Sequence, residues 1–165
     1  MADVPLPADL SAVLADYERR IRTLETAPRL QNSSQAWKSD YVDNAESTSS
    51  TSYVNLATVG PTITMDVPKT FSSPATGDIG RVLLTVSAYM NVPSNTSATV
   101  GLFIDGALTW DALGLGNSTG GTLAMNVTDM RTITVTPGTH TFQLRYKQSL
   151  TTAQFAARLL IVQPY

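Results

Sequence analysis

Two hydrophobic patterns divide the chain. In residues 10–25 the apolar positions Leu10, Leu14, Tyr17, Ile21 and Leu24 recur at alternating spacings of four and three, which is a helical heptad. From Tyr53 onward the period drops to two. Val82, Leu84, Val86, Ala88 and Met90 alternate with Leu83, Thr85, Ser87 and Tyr89 and predict one long strand. Residues 53–59 and 62–67 predict two earlier strands around a Gly60-Pro61 turn. Val100, Leu102 and Ile104 predict another, followed by an Asp105-Gly106 hairpin and a return over residues 107–113. Residues 114–121 read as a mobile loop and 122–135 as a long or broken strand. After Pro137-Gly138, the residues Phe142, Leu144 and Tyr146 face inward, and the last strand turns Phe155, Ala157, Leu159 and Ile161 to one side. Eight or nine strands at this turn spacing predict an antiparallel β-sandwich, with a jelly roll as the topology.

The last strand is also apolar on its second face, at Leu160 and Val162, and the long strand carries Leu83 and Tyr89 on its own second face. A sandwich strand with one solvent face is more polar there. The excess predicts burial against a neighbouring subunit, or beneath the segment around Trp37.

The heptad puts Leu14 and Ile21 at a, and Leu10, Tyr17 and Leu24 at d. Arg20 then falls at g and Glu25 at the following e, so in parallel helices one chain's Arg20 reaches its neighbour's Glu25. The run Arg20 to Glu25 resembles the short Arg-apolar-x-x-apolar-Glu motif of three-stranded coiled coils. The expected trimer interface is therefore Leu10, Leu14, Tyr17, Arg20, Ile21, Leu24 and Glu25. An amphipathic helix packed on its own domain is the alternative. The predicted organisation is an N-terminal anchor peptide over residues 1–7, a coiled-coil helix over 8–27, a linker over 28–52 and a sandwich over 53–165. Val4 and Leu6 are the expected anchors of the peptide on a particle. Trp37, Tyr41 and Val42 predict a short ordered piece within the linker.

Composition changes this picture in a few places. All three glutamates, Glu18, Glu25 and Glu46, precede the strand-rich region. The chain has 165 residues, a net charge of −2 and 15% charged residues, with no basic stripe for nucleic acid. It has no cysteine, hence neither disulfides nor thiolate metal ligands. No apolar run approaches the ~20 residues of a membrane span, and no leader pattern opens the sequence. Synthesis in a cytoplasm is the expectation.

Candidate chemistry is sparse. His140 is the single histidine, so a Ser-His-Asp triad would have to pass through it. Asp105, Asp111 and Asp129 match no calcium loop in spacing. The reading is a non-enzyme with no cofactor and no metal. The most plausible recognition feature is the stretch over residues 110–121, with Trp110, Asp111 and Asn117 as its candidates and a host-surface glycan as the ligand it would suit. Trp110 as a plain core residue is the alternative.

The run LADYERRIRTLETAPRLQNSS near the start and TVTPGTHTFQLRY with AQFAARLLIVQPY at the end together resemble minor tail and fibre-like virion proteins of actinobacteriophages. In those proteins a short helix leads into a C-terminal β-sandwich. The resemblance implies a structural virion protein, homotrimeric and partnered by other virion proteins, either a minor tail or fibre-like protein or a capsid decoration protein or head fibre planted by its N-terminal peptide.

Overall fold

The computed structural model describes residues 16–19, 37–73 and 77–165. The chain divides into two units, Met1–Gln35 and Ala36–Tyr165, each considered by itself. In the first, residues 16–19 form a helical turn, with an exposed Arg19–Asp16 ion pair at 2.6 Å and Tyr17 open to solvent. The other expected clasp residues, Leu10, Leu14, Arg20, Ile21, Leu24 and Glu25, lie outside the described residues, as do the anchors Val4 and Leu6.

The second unit is a β-sandwich of ten strands: β1 (Lys38–Val42), β2 (Glu46–Thr48), β3 (Thr62–Val67), β4 (Phe71–Ser73), β5 (Gly77–Pro93), β6 (Thr96–Ile104), β7 (Ala107–Asn117), β8 (Thr122–Val135), β9 (Gly138–Gln148) and β10 (Ala153–Pro164). In the six-stranded sheet β10 lies beside β5, with β1 and β2 on its far side and β8 on the far side of β5. The other sheet runs β3-β9-β6-β7. All pairings are antiparallel.

The period-two pattern builds the core directly. Val82, Leu84, Val86, Ala88, Met90 and Val92 of β5 have no exposed surface, and Val100, Leu102, Phe142, Leu144 and Tyr146 meet them from the other sheet. Each buried aliphatic side chain of this size contributes about 1.5–3 kcal/mol. Asp105 and Gly106 take positive φ values of 51° and 85°, so the β6–β7 hairpin turns as its dipeptide predicts.

Four expectations change. The sandwich begins before residue 53, because β1 and β2 of the expected linker pair with β10. Residues 53–59 do not form a strand; only Val54 bridges to Tyr146. Strand β7 continues to Asn117, leaving a loop of four residues where eight were expected. The last strand changes phase halfway. A bulge between Ala156 and Leu159, with Ala157 at φ 45°, sets two residues of β10 against one of β5. Phe155 therefore points inward, but so do Arg158, Leu160 and Val162, while Leu159 and Ile161 face out.

Both open sides of the sandwich are closed by polar side chains. On one side Lys38 Nζ donates to the Thr64 carbonyl at 2.8 Å and Asp40 accepts the Thr62 amide at 2.7 Å, satisfying the free edge of β3. On the other, the Arg131 guanidinium covers the Trp110 ring at 5.7 Å. At the outer edge of β8, Asp129 accepts the Met130 amide at 2.7 Å, which caps a donor that would otherwise invite another strand.

Candidate functional surface

The three recognition candidates all lie on β7, and the strand separates them. Trp110 points inward and is 8% exposed, so it is core. Asp111, the next residue, points out from the four-stranded sheet. Asn117 ends the strand buried, donating to the Val92 and Gly121 carbonyls at 2.9 and 3.1 Å and accepting from the Thr119 amide and hydroxyl at 3.1 and 2.9 Å. Its side chain fastens the 118–121 loop and has nothing left for a ligand. Beside it lies an open hollow of about 450 Å³, lined by small polar residues including Asn95, Ser97, Ser118 and Ser149.

Asp111 belongs to a cluster that the alternation along β7 does not reveal. Gly101, in the middle of β6, leaves room for the ring of Tyr53. Tyr53 donates its hydroxyl to Asp111, Lys147 sits 4.2 Å from the centre of its ring, and Phe103 meets it edge-on at 5.4 Å. Arg145 covers Phe103 at 4.4 Å. Burial, and then the Asp111 carboxylate, push the Tyr53 hydroxyl well above its usual range, so it acts as a donor and not as a base. Both aromatic rings are occupied by the protein's own cations. The cluster fixes the 49–61 segment to the sheet. The one sequence signal for it was a glycine inside a strand, which marks close approach.

His140 sits at one end of the sandwich, its Nδ1 2.6 Å from Asp105 Oδ2 and its Nε2 2.7 Å from the Thr136 carbonyl. Burial opposes its charge, but the Asp105 carboxylate and that carbonyl outweigh it and hold the imidazole above its ordinary value. Asp105 is held below the usual carboxylate range by the Thr141 amide and then by His140. A ring with both nitrogens engaged this way is a latch between the β6–β7 hairpin and the β8–β9 turn, not a general base.

Arg158 is a residue that no sequence pattern marked. The bulge carries it inside, where it has no exposed surface and lies 3.2 Å from Glu46 Oε2, 3.4 Å from the Thr58 and Asn44 carbonyls, and 5.3 Å from the centre of the Tyr146 ring. Thr58, more than Arg158, holds Glu46 below its ordinary value. Tyr146 in turn donates to the Gly60 carbonyl at 3.0 Å. Asp105, Asp111 and Asp129 occupy a hairpin tip, a sheet face and an edge strand, and no cluster of three metal-ligating side chains occurs among the described residues. No described helix is long and apolar enough to cross a membrane.

No protein-family model matches the chain, and no curated protein matches it. Solved structures with some likeness include a Paenibacillus sp. cycloisomaltooligosaccharide glucanotransferase (17% identity, 72% of this chain and 18% of that one, TM-score 0.32). Dimeric latent PorU from Porphyromonas gingivalis is another (14% identity, 76% and 13%, TM-score 0.36). The sugar-binding EclA C-terminal domain is a third (11% identity, 75% and 80%, TM-score 0.33). The chain spans less than a fifth of the first two. Overlap this slight says nothing of what the chain binds.

Proposed function

We propose that this chain is a non-enzymatic structural protein of a phage particle, exposed there as a homotrimeric minor tail or fibre-like component. Residues 8–27 would clasp three copies, and the sandwich would be a jelly roll. The strand order supports that topology, since β10, β5 and β8 with β1 and β2 face β3, β9, β6 and β7 as two interlocked Greek keys would arrange them. The observation that carries the reading is how the polar side chains are used. Asp111, Asn117, His140, Asp105, Glu46 and Arg158 each bind the protein's own backbone or side chains across loops and strands. That stiffens a frame, as display on a particle requires, and assembles no nucleophile beside a base.

The test is gold labelling of purified particles of the encoding phage with antibody to the sandwich. Label at the tail supports the proposal. Label over the head moves it to the capsid decoration or head-fibre alternative. Unlabelled particles sink the virion reading. For the clasp, Ile21→Asp places charge in the seam and is expected to turn the trimer into monomer by light scattering. A variant that stays trimeric would show that the helix is secondary.

A further inference from the structure

We propose that the outer face of the six-stranded sheet is where a second copy of this chain packs. The proposal goes beyond the trimer reading above and does not rest on it: two like faces that meet pair two copies about a two-fold axis.

The two outer faces of the sandwich differ in charge. The strands of the four-stranded sheet point Asp66, Asp111, Arg145 and Lys147 outward. Of the described strand residues that point out from the six-stranded sheet, Arg81 alone is charged, and it lies toward one end. At the centre of this face Thr85 and Ser87 of β5 pair with Ile161 and Leu159 of β10, Met130 of β8 lies across from Thr85 and is 64% exposed, and Leu83 and Tyr89 flank them along β5. The polar residues among them are uncharged, as at Ser87 and Thr128, whose hydroxyls bond each other at 2.8 Å. Two such faces can meet without burying an unpaired charge, which is the chief penalty on association.

The bulge at Ala157 is part of this construction. It sends Arg158 into the core and brings Leu159 and Ile161 to the surface, so the only charge on the second half of β10 is withdrawn from the face.

Size favours a copy of the chain as the occupant. Strands β5 and β8 pair over 14 positions, Gly80↔Val135 to Pro93↔Thr122. Strand β10 adds 12 residues, β1 five and β2 three, so at about 3.3 Å per residue and ~4.8 Å between strands the face presents roughly 760 Å². A stable interface needs about 800 Å² from each partner. Contact through the face is also favoured over strand addition at β8, since Asp129 caps that edge.

The chain has no cysteine, so one introduced thiol reports without background. Ser87→Cys places it at the centre of the face, and Thr99→Cys on the opposite sheet serves as control. In the full-length protein at high concentration, Ser87→Cys is expected to resist maleimide. Dilution, or Leu83→Lys in the same chain, is expected to abolish that protection, while Thr99→Cys reacts throughout. A thiol at 87 that reacts like the control at every concentration overturns the proposal. So does protection that does not change on dilution, which would place a segment of the same chain over the face. Protection found only on the particle would assign the face to another virion protein and also overturn it. Protection in solution together with unlabelled particles would keep this contact and sink the virion reading alone.

Discussion

His140 and Asp105 join two loops at one end of the sandwich, with Nδ1 2.6 Å from Oδ2, while the other ring nitrogen faces the Thr136 carbonyl at 2.7 Å. Both partners are acceptors, so only the imidazolium donates to both at once. The Thr136 hydroxyl lies 3.4 Å from the same Nε2, Met65 is the cross-strand partner and the Phe142 ring lies 6.4 Å away, none of them titratable.

The latch makes stability depend on pH with a definite sign. His140 is raised above 6.5, so its contribution is complete below 6.5 and is lost as pH rises through the folded value. Asp105 is lowered from 3.8, so its contribution is complete above 3.8 and is lost as pH falls through the folded value. His140→Asn is expected to cost on the order of 1 kcal/mol near pH ~5.5 and clearly less near pH ~8.5. Urea unfolding of both proteins at the two pH values checks it. Equal costs at both would mean that the ring acts by packing alone.

Arg158→Ala removes one partner of a buried ion pair and leaves a void against Tyr146. The expected loss is about 3–5 kcal/mol in urea unfolding. Arg158→Met combined with Glu46→Gln removes both charges and keeps the volume, and is expected to cost much less. A double variant as unstable as Arg158→Ala would refute a charge-based account of this site.

A Cβ built on Gly101 would lie 2.6 Å from Tyr53 Cε1 and 3.1 Å from Leu108 Cδ1. Gly101→Ala must displace the ring and lose its bond to Asp111, at about 1–3 kcal/mol. In a Tyr53→Ala background the same change is expected to be nearly neutral. A thermodynamic cycle of the four proteins measures the coupling, and additive effects would show that the ring is not what excludes the methyl group.

Asp129→Val removes the cap on the Met130 amide and adds a strand-forming side chain to the outer edge of β8. Thermal midpoint is expected to change little, while light scattering on heating rises. A variant that stays as clear as the parent would show that the edge is protected by something else.

What could be read in the sequence was what repeats. The alternation from Val82 to Met90 and the Asp105-Gly106 dipeptide each determine local geometry with no help from distant residues, and both appear as expected. Expectations failed where a distant partner decides. Tyr41 and Val42 announce an ordered piece, which is β1, but residues 46–48 are too polar to announce a strand and become β2 only because β10 offers them an edge. Trp110 has the composition of a recognition residue but sits at an inward position of β7. Asn117 is a recognition candidate by its place in the sequence, and its amide is instead engaged with the Val92 carbonyl of β5 and with three groups of its own loop. The Tyr53 cluster depends on an irregular segment crossing β6, which no local pattern encodes.

The bulged final strand has a consequence for how the fold tolerates change. Leu159 and Leu160, then Ile161 and Val162, offer almost interchangeable side chains to the two sides of the sheet. Greasiness therefore gives this strand no preferred phase. The choice falls to Arg158, which finds Glu46, two carbonyls and an aromatic ring only when it points inward. Straightening the bulge with Ala157 retained would keep the hydrophobic content of the interior, with Leu159 and Ile161 inward, and still turn the guanidinium outward, away from all of them, whereas deleting Ala157 joins the two halves in phase and leaves Arg158 inside. The charged residue, not the oily ones, acts here as the reading frame of the strand.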